Sequence, residues 1–326
     1  MVCRIMGKLL SLAYYGDWEL SVLEHLPGYI GIDIGGTNLR GALARSNGEI
    51  VSRFRLKSAI ADGADSFLGR LTEEIRQLLR DASGYGLQVQ GVGIGIPGLI
   101  GIDGTIYSSV NLRPLEGMNL SRLLSDRLQL PVVSANDANL IALGEVWAGA
   151  GQGMQSAVVI TIGTGLGSGL ILDGKLWTGA GGFAAEFGHV TVEPEGLPCP
   201  CGNRGCLEQY VSAAALSRYG GGRTPEDLAS LAQTGDPAAC AAFETIGYWL
   251  GTALGGLVNL LNLEGIVIGG GVSAGFELFE PMLRKTVQQR AFPQIFEQVT
   301  LCRAALGDDA GLVGGALLAA AQKQDR

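Results

Sequence analysis

The sequence lacks several features that define particular classes of protein. It has no run of lysine or arginine, and the formal net charge of its 326 residues is −8, so the basic surface of a nucleic-acid-binding protein is not expected. No apolar run reaches the roughly 18 to 20 residues that a membrane span needs. Lys8 interrupts the short apolar segment near the start, and no small-residue cleavage site follows. We therefore expect no signal peptide and neither nucleic acid nor membrane as a partner.

Aromatic residues are also scarce, at 6% of the chain, whereas glycine contributes 52 residues. With a mean hydropathy of +0.28, this composition is typical of a buried mixed α/β sheet with many tight turns. The chain is longer than most single hydrophobic cores, so we expect two lobes. Three of the six cysteines are clustered and three stand apart, which fits a reducing, cytoplasmic setting.

Two segments of the chain share the order strand, glycine-rich turn, strand. They cover residues 29–44 and 156–172, and each is a hairpin signal. Their likeness predicts two related halves, although richness in glycine alone could produce it. Apolar spacing predicts helices at 66–80, 121–130, 138–148 and 311–321, and further helices after residue 211 with breaks at 221–225 and 235–237. Buried strands are expected over 89–98, over 131–136 and before the glycines at 269–271.

The turn of the first hairpin, DIGGTN at 33–38, has the residue types of a phosphate-binding site. Gly35 and Gly36 let backbone N–H groups approach a phosphate because no Cβ is in the way. Thr37 and Asn38 add side-chain donors, and Asp33 can hold the hydrated magnesium that phosphoryl transfer requires. A hairpin turn that only needs glycines is the alternative.

The second hairpin carries a similar turn at the matching place, TIGTGLG at 161–167. Its candidate phosphate contacts are Thr161, Gly163, Thr164 and Gly165. Two such turns, one in each lobe, can hold a triphosphate from both sides. Neither turn matches GxxxxGK[ST], and neither is a GxGxxG that opens a helix directly, so P-loop and Rossmann folds are disfavoured.

The motif NDAN at 136–139 follows an apolar strand and opens a predicted helix. A helix cap is a sufficient explanation for an Asn or Asp at this position. A chain with two phosphate-binding turns, however, also needs a general base that accepts a proton from the acceptor hydroxyl. Asp137 is the carboxylate best placed for that role.

A histidine and three cysteines form the strongest metal signal. Imidazole and thiolates are the ligands of a tetrahedral structural zinc, and four of them would close its coordination shell. Tight turns at Gly202 and Gly205 would let the loop wrap around one ion. Buried thiols or a disulfide are the alternative, which a reducing setting disfavours. The four expected ligands are His189, Cys199, Cys201 and Cys206.

Taken together, these motifs resemble the ROK family of sugar kinases and repressors, within the actin-like ATPase fold. The resemblance rests on DIGGTN, NDAN, TIGTGLGSG, AAEFGH, CPCGNRGCLE and GGGVS and covers the chain from about residue 29 onward. It implies two α/β lobes of the ribonuclease H-like type, with a structural zinc loop, that close over sugar and ATP. We expect the first lobe at 29–140 plus 305–326 and the second at 141–304, after an extension of unknown role at 1–28. A homodimer or homotetramer is also implied.

The resemblance further implies which residues contact the substrates. Asp137 would deprotonate the 6-hydroxyl of the sugar, and His189 would serve both zinc and sugar. The nucleotide-side loop would contain Gly269, Gly270 and Gly271. The expected sugar contacts are Gly98, Asn111, Asn136, Asp137, Glu186, His189 and Glu208.

Two residues depart from the family's pattern, and either could change the width of the sugar pocket. Ala185 stands where the family usually has glycine, and Arg113-Pro114 follows Asn111 where a tryptophan is common. Neither change removes a catalytic group.

We therefore expect ATP-dependent phosphorylation of the 6-hydroxyl of a hexose, most of all glucose. The alternatives are an N-acetylglucosamine or N-acetylmannosamine kinase, a fructokinase, and a sugar-sensing repressor. Repressors of the family carry a DNA-binding helix-turn-helix of about 60 to 80 residues before the first glycine turn. Only 32 residues precede Asp33 here. The presence of Asp33, Thr37 and Asp137 also favours the kinase.

Overall fold

The computed structural model describes residues 25–322, which form an α/β structure. The strands are β1 Leu26–Ile34, β2 Asn38–Arg45, β3 Ile50–Lys57, β4 Leu87–Ile96, β5 Leu99–Ile100, β6 Ile106–Ser108, β7 Val132–Asn136, β8 Ala157–Ile162, β9 Leu166–Leu172, β10 Lys175–Leu176, β11 Gly265–Gly269 and β12 Thr300–Arg303. The helices are α1 Ala64–Gly84, α2 Leu120–Leu128, α3 Asp137–Ala148, α4 Ala213–Tyr219, α5 Pro225–Gln233, α6 Pro237–Leu261, α7 Phe276–Arg290, α8 Pro293–Phe296 and α9 Ala310–Ala321.

The helices predicted from apolar spacing are confirmed as α1, α2, α3 and α9. The two breaks predicted after residue 211 are confirmed as well, since α5 and α6 each begin at a proline, a residue suited to the first helical position.

The first strand starts at Leu26, inside the expected extension, whose residues 1–24 lie outside the described part. Within that part, no helix has the length and apolar character that crossing a bilayer requires.

Two five-stranded sheets have the same strand order and the same directions. The order is β3-β2-β1-β4-β7 in the first sheet and β10-β9-β8-β11-β12 in the second. In each, neighbouring strands among the first three run antiparallel, and the last two strands run parallel to the third. The predicted relation between the two halves is therefore confirmed. The division into lobes near residue 140 stays a prediction, and that position lies inside α3.

The edge strand β3 is an element that the sequence analysis missed. Its exposed side chains, Arg53, Arg55 and Lys57, alternate with half-buried apolar ones. This period of two was present in the sequence, and charged residues on an edge strand discourage pairing with another chain.

Helices cover both faces of each sheet. Helices α1 and α2 contribute to the apolar core on the outer face of the first sheet, and α4 to α7 cover the outer face of the second. Between the sheets, α9 packs against β1 and β4, whereas α3 packs against β8 and β9. Helices α3 and α9 also pack against each other, so they form the layer that joins the two sheets.

This inner layer depends on backbone contacts that only glycine permits. A Cβ added to Gly31 of β1 would lie 1.8 Å from the Leu312 carbonyl oxygen, and one added to Gly93 of β4 would lie 1.9 Å from that of Gly315. A Cβ on Gly314 would lie 1.8 Å from the carbonyl oxygen of Leu140 in α3. No side chain fits at these three points, so α9 lies directly on the sheet and on α3.

We expect Gly314→Ala to lower the free energy of unfolding by about 2 to 3 kcal/mol, because an added methyl group must displace backbone on one side. The matched control is Gly256→Ala in α6, where the new Cβ meets nothing within 4 Å. That control should leave stability unchanged or raise it by about 0.5 to 1 kcal/mol through helix propensity. Chemical denaturation measures both; equal stability of the two variants would contradict the tight contact.

Candidate active site

A cleft of about 880 Å³ lies between the two sheets. It brings together most of the residues that the sequence predicted for the sugar, the base and the second glycine turn. These are Gly98, Asn136, Asp137, Thr161, Gly163, Thr164, Gly165, Glu186, His189 and Glu208, with Gly270 at the edge.

Two further cavities adjoin the same region and contain the remaining predicted nucleotide residues. One, of about 440 Å³, shares Thr161 and Gly270 with the cleft and is lined by Asp33, Gly269 and Gly271. The other, of about 340 Å³, is lined by Asp33, Gly35, Gly36, Thr37 and Asn38 of the first glycine turn. Asn111 lies apart from the lining of the cleft and stands against the first turn, where a Cβ on Gly36 would be 3.1 Å from the Asn111 Cβ.

Asp137 lies at the start of α3, where β7 delivers it to the cleft. The helix cap is Asn136, whose Oδ1 accepts hydrogen bonds from Ala138 N at 2.9 Å and Asn139 N at 3.3 Å. The Asn136 side chain also donates to the Gly98 carbonyl oxygen at 3.0 Å. Asn136 therefore caps the helix, and the Asp137 carboxylate stays at the cleft. One oxygen of this carboxylate accepts a hydrogen bond from Ala138 N.

The surroundings of Asp137 raise its pKa to about 6. The main cause is burial, which disfavours the charged form, and the nearby negative charges of Asp33 and Glu186 add to it. A carboxylate with such a pKa is ionised at neutral pH and binds a proton readily, which is the property of a general base.

Glu186 and His189 lie on one short turn at the opposite wall of the cleft. The His189 N–H donates to the Glu186 carbonyl oxygen at 3.0 Å. Partial burial raises the pKa of Glu186; the positive potential of His189 opposes this rise and Glu208 adds to it. Two carboxylates and one imidazole thus face the cleft together and can bind adjacent hydroxyl groups.

Glu208 makes a contact that the sequence analysis did not predict. Its Oε2 accepts a hydrogen bond from Leu166 N, at the end of the second glycine turn, at 2.9 Å. A Cβ on Gly165 would lie 2.5 Å from the same oxygen, so glycine at 165 makes this approach possible. Glu208 thereby joins the expected sugar site to the expected phosphate site.

The four predicted zinc ligands converge. Their ligand atoms all lie within 4.8 Å of one another. The Cys199 Sγ is 3.7 Å from His189 Nδ1, and the Sγ atoms of Cys201 and Cys206 are 3.6 Å apart, too far for a disulfide. With Nδ1 turned toward the sulfurs, His189 keeps its Nε2 for other partners.

Amide side chains form a second layer around these sulfurs. Asn203 Nδ2 donates to Cys206 Sγ at 3.5 Å, and Gln209 Nε2 donates to Cys199 Sγ at 3.7 Å. Donors of this kind stabilise thiolates and orient metal ligands. The cluster therefore has the ligand set and the surroundings of a structural zinc site.

Arg40 is a residue at the site that the sequence analysis missed. It donates to Asp33 Oδ2 through Nε at 3.1 Å and through Nη2 at 2.5 Å, and its Nη1 lies 3.0 Å from Asp308 Oδ2. The register of the first hairpin, in which Arg40 faces Asp33 across β1 and β2, was the available signal. One oxygen of the predicted magnesium ligand is thus paired with a cation.

The comparison with known proteins agrees with this site. Residues 29–322 match the model of the ROK family. A glucokinase of Halalkalibacterium halodurans is 36% identical over 317 residues, which cover 90% of this chain and 96% of that protein. A xylose repressor of Caldicellulosiruptor bescii is 31% identical over 314 residues, covering 90% of this chain and 78% of the repressor.

Among solved structures, the ROK family glucokinase of Streptomyces griseus in complex with glucose and AMPPNP is similar with a TM-score of 0.74 and 34% identity. The match covers 90% of this chain and 99% of that one. The predicted two-lobed, actin-like ATPase fold is confirmed by this likeness together with the paired sheets. On the family match and on these similarities over nearly the whole described chain, this protein belongs to the ROK family.

Proposed function

We propose that this protein is a kinase that transfers the γ-phosphoryl group of ATP to the 6-hydroxyl of a hexose, with glucose as the preferred sugar. The observation that carries the proposal is the position of Asp137, which shares one cleft with the second glycine turn and with Glu186, His189 and Glu208. Phosphoryl transfer needs a base at the acceptor and hydrogen-bond donors around the phosphates, and this cleft offers both. The glucokinase relatives support the same assignment.

In this proposal Asp137 accepts the proton of the 6-hydroxyl as the oxygen attacks the γ-phosphorus. Its raised pKa, about 6, makes the carboxylate basic enough to take the proton while leaving it ionised at neutral pH. Burial of the carboxylate also strengthens its hydrogen bond to the hydroxyl. The cap formed by Asn136 fixes the direction in which α3 presents Asp137.

Backbone N–H groups of the two glycine turns would bind the phosphates, and Asp33 would hold magnesium. Arg40 binds Oδ2 of Asp33, and none of the described residues donates a hydrogen bond to the other oxygen, Oδ1. A carboxylate oxygen fits the ligand preference of magnesium, which neutralises charge on the phosphates when bound. Arg40 can hold the Asp33 carboxylate in place for that contact.

Glu186, His189 and Glu208 would bind the sugar, and zinc would fix the loop that carries them. With Nδ1 directed at the metal, His189 would carry its hydrogen on Nε2 and would donate it to a sugar oxygen. Zinc held by His189 and the three cysteines would supply only structure, because these residues would be its four ligands. We also propose a homodimer or homotetramer and a cytoplasmic location, where thiolate ligands stay reduced.

Glucose should give the highest kcat/KM in a panel with mannose, fructose, N-acetylglucosamine and N-acetylmannosamine at one ATP concentration. A site that binds hydroxyls rejects sugars that leave its polar groups unpaired, at roughly 1 to 3 kcal/mol per group. If the kcat/KM for an acetylated sugar exceeds that for glucose tenfold, the protein is still a kinase but its preferred substrate is the acetylated sugar. Absence of turnover with all five sugars would instead favour a sugar-sensing repressor.

The substitution Asp137→Asn should lower kcat by about a thousandfold or more, because general-base catalysis and orientation of the hydroxyl are both lost. Glucose binding should persist, since the amide keeps one acceptor oxygen. Steady-state kinetics and calorimetric titration with glucose measure the two effects. A variant with more than a tenth of the wild-type kcat would remove Asp137 from this role.

The pH profile provides the control for that experiment. Asp137 works in its ionised form, so kcat/KM of the wild type should fall about tenfold per pH unit below its pKa of about 6. The residual kcat/KM of Asp137→Asn should not show this fall at acidic pH. If the fall persists in the variant, it is caused by the titration of another group.

The substitution Cys201→Ser should remove most of the zinc and weaken glucose binding, because the loop bearing His189 and Glu208 loses its cross-link. Cys240→Ser is the matched control, since that half-buried cysteine lies in α6, outside the cluster. Metal analysis should give one zinc per chain for the wild type and for the control. Active wild-type protein without zinc would contradict the assignment.

A further inference from the structure

The turn that carries Glu186 has a backbone conformation that L-amino acids rarely adopt. Ala185, which precedes it, has φ of +70°, in the left-handed region where a Cβ crowds the backbone. Such a conformation persists only where the surrounding structure imposes it, and it is common at functional sites. Some contact must therefore hold Ala185 in this state.

Ser168 of β9 supplies that contact. Its hydroxyl donates a short hydrogen bond to the Ala185 carbonyl oxygen and accepts one from Phe187 N at 3.4 Å. A single oxygen thus holds the main chain on both sides of Glu186. Ser168 is only 5% exposed, so water cannot replace it readily in either contact.

The space behind the turn makes this polar contact more important. An open pocket of about 250 Å³ lies there, lined by apolar side chains such as Leu170, Trp177 and Leu257, and Ser168 and Glu186 also border it. Packed side chains normally hold a loop from behind, and an open pocket provides few such contacts. Without the serine hydroxyl, the turn could relax toward the pocket and draw the Glu186 carboxylate away from the sugar cleft.

We propose that Ser168 is a positioning residue for the acceptor sugar: acting through the main chain of Ala185 and Phe187, it fixes Glu186 at the cleft. The inference rests on the proposed function of Glu186 in sugar binding. Because Ser168 lies in β9, the turn is tied to the strand that leaves the second glycine turn, and the pairing of Ser168 with Ile160 links it to β8 as well. Ser168 lines neither the cleft that contains Asp137 nor the two cavities at the glycine turns, so its effect should be confined to the sugar.

The test is the steady-state kinetics of Ser168→Ala. Loss of the hydrogen bond should raise KM for glucose about tenfold, while KM for ATP stays within about twofold of the wild type because the second glycine turn is untouched. Ser168→Thr keeps the hydroxyl, and its extra methyl group can enter the adjoining pocket, so it should restore the wild-type KM for glucose. If Ser168→Ala is insoluble, Ser168→Cys, with a weaker donor, replaces it and should give an intermediate KM.

Two substitutions at Ala185 test the conformation itself. Ala185→Gly tolerates a positive φ, so it should keep the KM for glucose and leave the melting temperature equal or higher. Ala185→Val, whose β-branched side chain disfavours that conformation, should raise the KM as Ser168→Ala does.

The possible results separate this inference from the proposed function. No turnover of any hexose by the wild type would refute the proposed function. A wild type that phosphorylates glucose, together with an unchanged KM for glucose in Ser168→Ala, would refute the positioning role alone. Equal increases in KM for glucose and for ATP would also refute it, because they would indicate a general loss of structure.

Discussion

The direct contact of backbone on backbone around α9 is the constraint on which the rest of the structure depends. Glycines in β1, in β4 and in α9 itself allow this helix to touch the first sheet on one side and α3 on the other. Helix α3 in turn lies on the second sheet, so these two packed helices connect the two halves. Both helices begin at the active site: α3 with Asp137, and α9 just after Asp308, which pairs with Arg40. A change in their packing would therefore alter the cleft at two points.

The cleft and the two cavities beside it concentrate carboxylates, and each carboxylate has different partners. Asp33 is paired with Arg40, and Glu208 accepts a backbone N–H from the second glycine turn. Asp137 has no cationic partner among its described hydrogen bonds and ion pairs, so burial and its acidic neighbours raise its pKa. Asp33 is thus suited to binding a cation, Glu208 to accepting hydrogen bonds, and Asp137 to accepting a proton. The difference arises from the partners of each group, since all of them are short acidic side chains.

Much of this arrangement could be predicted from the sequence, because it depends on local patterns. The hairpins with their glycine turns, the helix that begins at Asp137 and the spacing of the zinc ligands are all short-range features. Three contacts could not be predicted, since each joins segments that only the tertiary fold brings together. They are the ion pair of Arg40 with Asp308, the hydrogen bond from Leu166 N to Glu208, and the hydrogen bond from Ser168 to the Ala185 carbonyl oxygen. Asn111 makes a contact of the same kind: it stands against Gly36 of the first glycine turn, and its place at the sugar stays a prediction. Sequence reveals which side chains can do the chemistry, and the fold decides which of them meet.

The position of α9 also has a consequence for the order in which the protein is made. Strands β1 and β4 are complete early in synthesis, but the helix that covers them follows about 180 residues after β7. At roughly 5 to 20 residues per second, the first sheet remains without its inner layer for about 9 to 36 s. Until then, the face of the first sheet that α9 will cover has glycines, Gly31 and Gly93, at the contact points. The glycines that permit the final contact thus also leave no side chain exposed at those points before α9 is made.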